Sequence, residues 1–167
     1  LFVSVHYFIW SAIYHDTASG AVINGYTLAE MVTYISVAWV ARSLYHSNID
    51  VEIENMVRTG QITIYLIRPV NFQLMHVASA FGESLFRLIF FTIPIGIVIL
   101  SLFPVSAPAD FNYFLCFLLS TFFGFLILAQ INFLVGMLAF SFQSIDGVMR
   151  AKYYIVQLFS GLLLPLT

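Results

Sequence analysis

Between Asn112 and Ser141 the chain carries no charged side chain, and four further runs at 1 to 13, 27 to 46, 84 to 104 and 151 to 167 are nearly as apolar. A backbone that enters hydrocarbon must satisfy its own N–H and C=O groups, and an α-helix does this within one segment. About 20 residues cross a bilayer core of ~30 Å. The five runs therefore read as membrane-crossing helices, with the first and last cut short. The expected class is all-α: a polytopic helical membrane protein, a single transmembrane domain over residues 1–167, with a cytoplasmic segment at 47–83 between spans two and three. The third span is placed at 84 to 104, and a start nearer Gln73 stays open, because residues 72 to 82 are also mostly apolar.

Composition closes the soluble alternative. The chain is 61% hydrophobic and 8% charged, against roughly 25% charged in a soluble domain. A core could be buried at this length, but too few polar side chains remain to cover it. The basic residues are Arg42, Arg58, Arg68, Arg87, Arg150 and Lys152, and the net charge is -2, so no electrostatic footprint for nucleic acid exists. Cys116 lies in an apolar run, where a thiol packs as a small hydrophobe. His6, His15, His46 and His76 form neither an i, i+4 pair nor an HExxH pattern, so no metal site is proposed. The chain opens on Leu1 with no basic n-region, and LFVSVHYFIWSAI reads as the end of a span rather than a signal peptide.

The loops order themselves by charge. Connections 14 to 26 and 105 to 111 contain Asp16 and Asp110 but no Lys or Arg, whereas 47 to 83 contains Arg58 and Arg68 with Arg42 at its edge, and 142 to 150 is flanked by Arg150 and Lys152. Excess Lys and Arg mark cytoplasmic loops. The second and fourth connections are thus assigned to the cytoplasm, the N-terminal end starts inside and the last span runs outward.

In a chain so poor in charge, the stretch SNIDVEIENMVRTGQITIYLIRPVNFQ gathers Asp50, Glu52, Glu54 and Arg58. Ser47 or Asn48 can cap a helix whose first turns carry acids, and Gly60 can close it. Ile49, Ile53, Met56 and Val57 then form one apolar stripe opposite an acidic face, which suits a helix lying along the membrane surface. After Gly60, the alternation of Ile62, Ile64 and Leu66 with Thr63, Tyr65 and Ile67 is compatible with a short extended piece, and Pro69 is expected to head the next helix. Periodicity does not separate a solvated interfacial helix from one that docks a partner.

Within this stretch, Gly60 followed by Tyr65-Leu66-Ile67-Arg68-Pro69 resembles the signature of permease subunits of type-2 ATP-binding-cassette (ABC) exporters. The runs LVGMLAFSFQSIDGV and FSGLLLPLT are similar to the later spans of that subfamily. One position departs: Gln61 stands where the subfamily often has an acid. The resemblance implies a six-span half-transporter in a bacterial inner membrane, with a further span after Thr167. It also implies pairing with a second, identical or related permease and with cytoplasmic ABC ATPase subunits. In the family an amphipathic cytoplasmic helix between spans two and three docks on the ATPase, and residues 47 to 59 match it by position. The docking candidates are Asp50, Glu52, Glu54, Met56 and Arg58, and the motif residues are Gly60, Leu66, Arg68 and Pro69. The chain has no GxxxxGK[ST] phosphate loop and no GxSxG elbow, so it is expected to be no enzyme and to hold no cofactor; ATP and Mg would belong to the partner ATPase.

Four polar residues stand inside the spans. Glu83 and Arg87, four apart with the acid first, suit a structural ion pair. Gln130 and Asn132 suit bonds to a neighbouring helix. Gly124 and Gly136, with Ala129 and Ala139, allow close helix approach, and Pro94 is expected to kink the third span. The 18 Phe and 9 Tyr suit lipid-facing packing, and equally an apolar path for lipid-like or drug-like cargo as in multidrug efflux. Three functions remain open: an ABC export permease, a gradient-driven secondary transporter or channel, and a non-transporting membrane anchor subunit. The second would place unpaired acids or broken helices near the bilayer midplane.

Overall fold

The computed structural model of the chain describes residues 2–15, 26–103, 105, 110–142 and 144–160. Asp16 with most of the first connection, most of the 104–109 link and the terminal GLLLPLT stretch lie outside the described residues. The elements in chain order are α1 (Phe2–His15), α2 (Leu28–Tyr45), α3 (Ile49–Arg58), α4 (Ile62–Leu66), α5 (Phe72–Arg87), a π-helical turn (Leu88–Thr92), α6 (Ile93–Leu102), α7 (Phe111–Met137), a 3-10 turn (Leu138–Phe140) and α8 (Asp146–Phe159). The protein is all-α, with no strand among the described residues.

Helix starts follow local chemistry. Thr27 and Glu30 form a reciprocal capping box at α2, the Thr27 amide donating to Glu30 Oε2 at 2.8 Å. Asn71 caps α5 by accepting from the Leu74 amide at 3.0 Å. This capping Asn sets where α5 begins, so Pro69 precedes the helix rather than heading it. Residues 62–66 form a single helical turn and not an extended piece. Ile62 is buried, and the Thr63 hydroxyl donates to the Gly60 carbonyl at 2.9 Å, a local bond that holds the turn against the alternating pattern.

Two helices are long and apolar enough to cross a membrane, Phe72–Leu102 with 31 residues and Phe111–Phe140 with 30. At 1.5 Å per residue the first is ~46 Å long, more than a ~30 Å hydrocarbon core needs. It is continuous through α5, the π-turn and α6. Pro94 lacks an amide and its ring would meet the carbonyl four residues back. The chain answers by widening the turn before it, where the Ile93 amide donates to the Leu88 carbonyl, five residues away. Phe90, Phe91, Ile97 and Leu100 lie exposed on this helix, an outer surface suited to hydrocarbon.

At the centre of the packing, α7 meets α2, α3 and α5, while α1 lies on α2. The core joins Ile49 and Ile53 of α3, Ile62 of α4, Ala80 of α5, and Phe125 and Ala129 of α7. At Gly136 the backbones of α3 and α7 come so close that an added Cβ would sit 3.0 Å from Ile53 Cβ and 3.1 Å from Asp50 Cα. Ala129 and Ala139 are buried on the same helix-and-turn, but Gly124 faces open space and mediates no close approach. Gly136→Ala should therefore destabilise the protein by ~1–3 kcal/mol, the cost of overpacking. Gly124→Ala should leave it unchanged or slightly firmer. Thermal unfolding of the two variants in detergent checks the contrast.

Candidate coupling site

A ten-residue helix in a charge-poor chain would be expected to keep its acids in water. In α3, Ile49 and Ile53 are 1% and 0% exposed, yet Asp50 and Glu54 are 3% and 4% exposed as well. The helix is wedged against α7 on one side and α5 on the other, so two of its faces are covered. The outward face consists of Asn48, Val51, Asn55 and Arg58, at spacings of three, four and three that trace one stripe. Gly60, at φ +72°, closes the helix in the left-handed region that favours glycine.

Each buried acid has a dedicated partner. Asp50 forms an ion pair with Lys152 of α8, and the Lys152 ammonium also donates to Asn132 Oδ1 of α7 at 2.6 Å. The Asn132 amide in turn donates to the Ser47 carbonyl at 3.0 Å and to its hydroxyl oxygen at 2.8 Å. Four side chains, from α3, α7, α8 and the α2–α3 link, thus form one connected network. Glu54 Oε1 accepts from the Ile145 amide at 3.2 Å and so fixes the start of α8. Glu52, on the flank, lies 3.4 Å from Nδ1 of His76 on α5. Burial, with Glu83 nearby, raises the Glu52 carboxyl above its ordinary value of 4.5, and His76 pulls against the rise.

The remaining sequence candidates divide between inner and outer positions. Met56 is half-buried against the core, and Arg58 is exposed at the end of α3. Leu66, Arg68 and Pro69 are exposed beyond it, with the Arg68 guanidinium 5.1 Å from the centre of the Tyr65 ring. Arg87 and Glu83 approach at 3.9 Å, but the shorter contacts of Arg87 are to the carbonyls of Ser43 at 3.2 Å and His46 at 2.9 Å. The guanidinium therefore caps the C-terminal end of α2, where the helix dipole is negative. Gln130 is bonded to Gln73 of α5, and Asn132 belongs to the network above. Among the described residues no group of three or more His, Cys, Asp or Glu side chains converges as a metal would need.

Sequence reasoning missed Lys152, Ser47 and His76 as members of this site. Lys152 sits 102 residues from Asp50, and no spacing rule reaches that far. A usable signal did exist, since an acid predicted near an apolar stripe in a chain with so few cations must find one of them.

Two consequences follow from these contacts. Asp50→Asn leaves a mostly buried ammonium without its counter-charge and should cost about 3 kcal/mol, whereas Asp50→Asn combined with Lys152→Met should recover most of it; unfolding midpoints of the single and double variants measure the difference. For Glu52, a raised carboxyl value means the folded protein holds the proton more tightly. This contribution to stability is full below pH 4.5 and is lost as the pH rises through the folded value. Melting temperatures between pH 4 and 8 should fall less steeply in Glu52→Gln than in the parent.

Residues 1–166 match the family model described as ABC-2 family transporter protein. No curated protein and no solved structure matches the chain. The match extends over every described helix, and the long apolar helices agree with it. The chain belongs to the ABC-2 transporter family, membrane permeases that work with an ABC ATPase.

Proposed function

We propose that this permease is the membrane-spanning half of an ABC exporter, driven by ATP and Mg in a separate cytoplasmic ATPase subunit, paired with a second permease in a bacterial inner membrane. The observation that carries the proposal is the asymmetry of α3. Its inner side is fixed to α5, α7 and α8 by apolar packing and by Asp50, Glu52 and Glu54, while Asn48, Val51, Asn55 and Arg58 are left outward. A helix that is locked into the membrane domain on one side and uncovered on the other is suited to passing a push inward. The contact surface for the ATPase is accordingly the Val51, Asn55 and Arg58 stripe with the Gly60–Gln61 turn, and not the acids Asp50 and Glu54.

Co-purification of the full-length protein with its genomically adjacent ATPase tests this reading. Asn55→Asp with Arg58→Glu should weaken retention of the ATPase about thirtyfold, the scale of losing an interfacial arginine anchor, at an unchanged melting temperature. Glu54→Gln should instead lower the melting temperature. Full retention by the Asn55, Arg58 variant would remove this face from the interface. A well-folded parent that retains no ATPase would overturn the exporter reading in favour of a gradient-driven transporter or an anchor.

A further inference from the structure

Four of the chain's six basic residues, Arg42, Arg87, Arg150 and Lys152, line two adjoining cavities that share Arg42 and His46. The first, of about 260 Å³, lies between the C-terminal end of α2, the start of α3, α7 and α8. The second, of about 450 Å³, opens on the other side of Arg42 and is walled by Trp39, Phe91 and Ile95 together with Ser43 and Thr92. One chamber is thus cationic and rich in hydroxyl groups, the other largely apolar and open to the side of the helices.

Most of these charges can be traced to a partner. Lys152 is neutralised by Asp50, and Arg87 by the carbonyl end of α2. Among the described residues Arg42 has only the Tyr153 hydroxyl, at 2.8 Å, and the face of the same ring. Arg150 has no partner among the described residues, and Asp146, the other acid on the wall, is bonded to the Ser144 hydroxyl at 3.1 Å. Among the described residues neither Arg42 nor Arg150 has a carboxylate within ion-pair distance, and the first chamber, with Arg42, Arg150 and Lys152 against Asp50 and Asp146, keeps a net positive charge on the side that the charge pattern assigns to the cytoplasm. Basic pockets between helices at that surface are suited to lipid head groups, and guanidinium is the side chain best matched to phosphate oxygens.

We propose that the paired cavities bind one anionic phospholipid of the cytoplasmic leaflet. Its phosphate lies between Arg42 and Arg150, with the Tyr153 hydroxyl beside Arg42. One acyl chain runs past Arg42 into the groove of Trp39, Phe91 and Ile95. Because Tyr153 and Lys152 sit on α8 and Arg42 on α2, the bound lipid bridges two helices that otherwise meet through side chains alone.

Native mass spectrometry of the full-length protein in detergent, offered phosphatidylglycerol or phosphatidylcholine with the same acyl chains, tests the site. The parent should retain phosphatidylglycerol over phosphatidylcholine. At the strength of one juxtamembrane cation each, Arg150→Gln should weaken that retention about fivefold and Arg42→Gln with Arg150→Gln about thirtyfold. Arg68→Gln, an exposed cation elsewhere, should leave it unchanged. Arg150→Gln removes no bond found in the fold, so it remains decisive if the Arg42 variant loosens α8. Equal retention of the two lipids, or no change in Arg150→Gln, would overturn the proposal. Inorganic phosphate should fail to displace the lipid; complete displacement would show that a free anion, not a lipid, is what the arginines hold.

Discussion

The approach of α3 to α7 at Gly136 dictates what the neighbouring elements must do. Once Ile49 and Ile53 are pressed onto α7, the helix period carries Asp50 and Glu54 to the margins of the same buried face, one residue from each isoleucine. Two carboxylates out of water are tolerable only with partners of good geometry, since an unpaired buried charge costs several kcal/mol. Lys152 and the Ile145 amide are those partners, and both belong to α8 or its first step. The position of α8 is thereby set by the acids of α3 and hardly by packing of its own: none of its residues is buried.

The same logic accounts for how a chain with 8% charged residues spends them. Of the groups within the helical body, Asp50, Glu54, Arg87, Asn132, Gln73 and Gln130 each link one helix to another. Between helices in lipid no hydrophobic force acts, so such bonds and close small-residue contacts supply the specificity that apolar burial supplies in water. The outer surface, by contrast, is left to Phe, Ile and Leu. This division explains why the chain can be so apolar overall and still fix one arrangement of α2, α3, α5, α7 and α8.

The helical class and the long α7 were legible because lipid permits so few backbone solutions. The end of α3 was legible because a left-handed Gly60 is local chemistry, whereas at its start Asn48 holds the cap position without a side-chain cap bond and the Ser47 hydroxyl is taken by Asn132. Which side of α3 faces outward was not. The stripe Ile49, Ile53, Met56, Val57 marked the buried centre correctly, but a helix wedged between two others is covered over far more than one stripe, and its flanking acids went in with it. The 62–67 alternation was misread because a single turn held by Thr63 and anchored by Ile62 leaves almost every other side chain exposed, so period carries no information there. Partners such as Lys152 for Asp50, or Ser43 and His46 for Arg87, are tertiary facts. The local candidate, Glu83, was the nearer in sequence and made the longer contact.

The π-turn gives the wedge a mechanical counterpart. α5 is held to α3 through Glu52 and His76 and to α7 through Gln73, Phe72 and Phe81, whereas α6 beyond it buries little besides Ile99. The change from one regime to the other falls at Leu88–Thr92, where Pro94 has already removed one backbone bond and the turn is already wide. Thr92 reaches across to the Ser43 hydroxyl at 2.8 Å, and Arg87 to the end of α2, so α2 grips the helix just before the weakened turn and at its last residue. A displacement of α3 that carries α5 with it would therefore be absorbed at this turn more easily than in the regular stretches of the 31-residue helix, because the backbone there already departs from i, i+4 bonding and Pro94 supplies no amide.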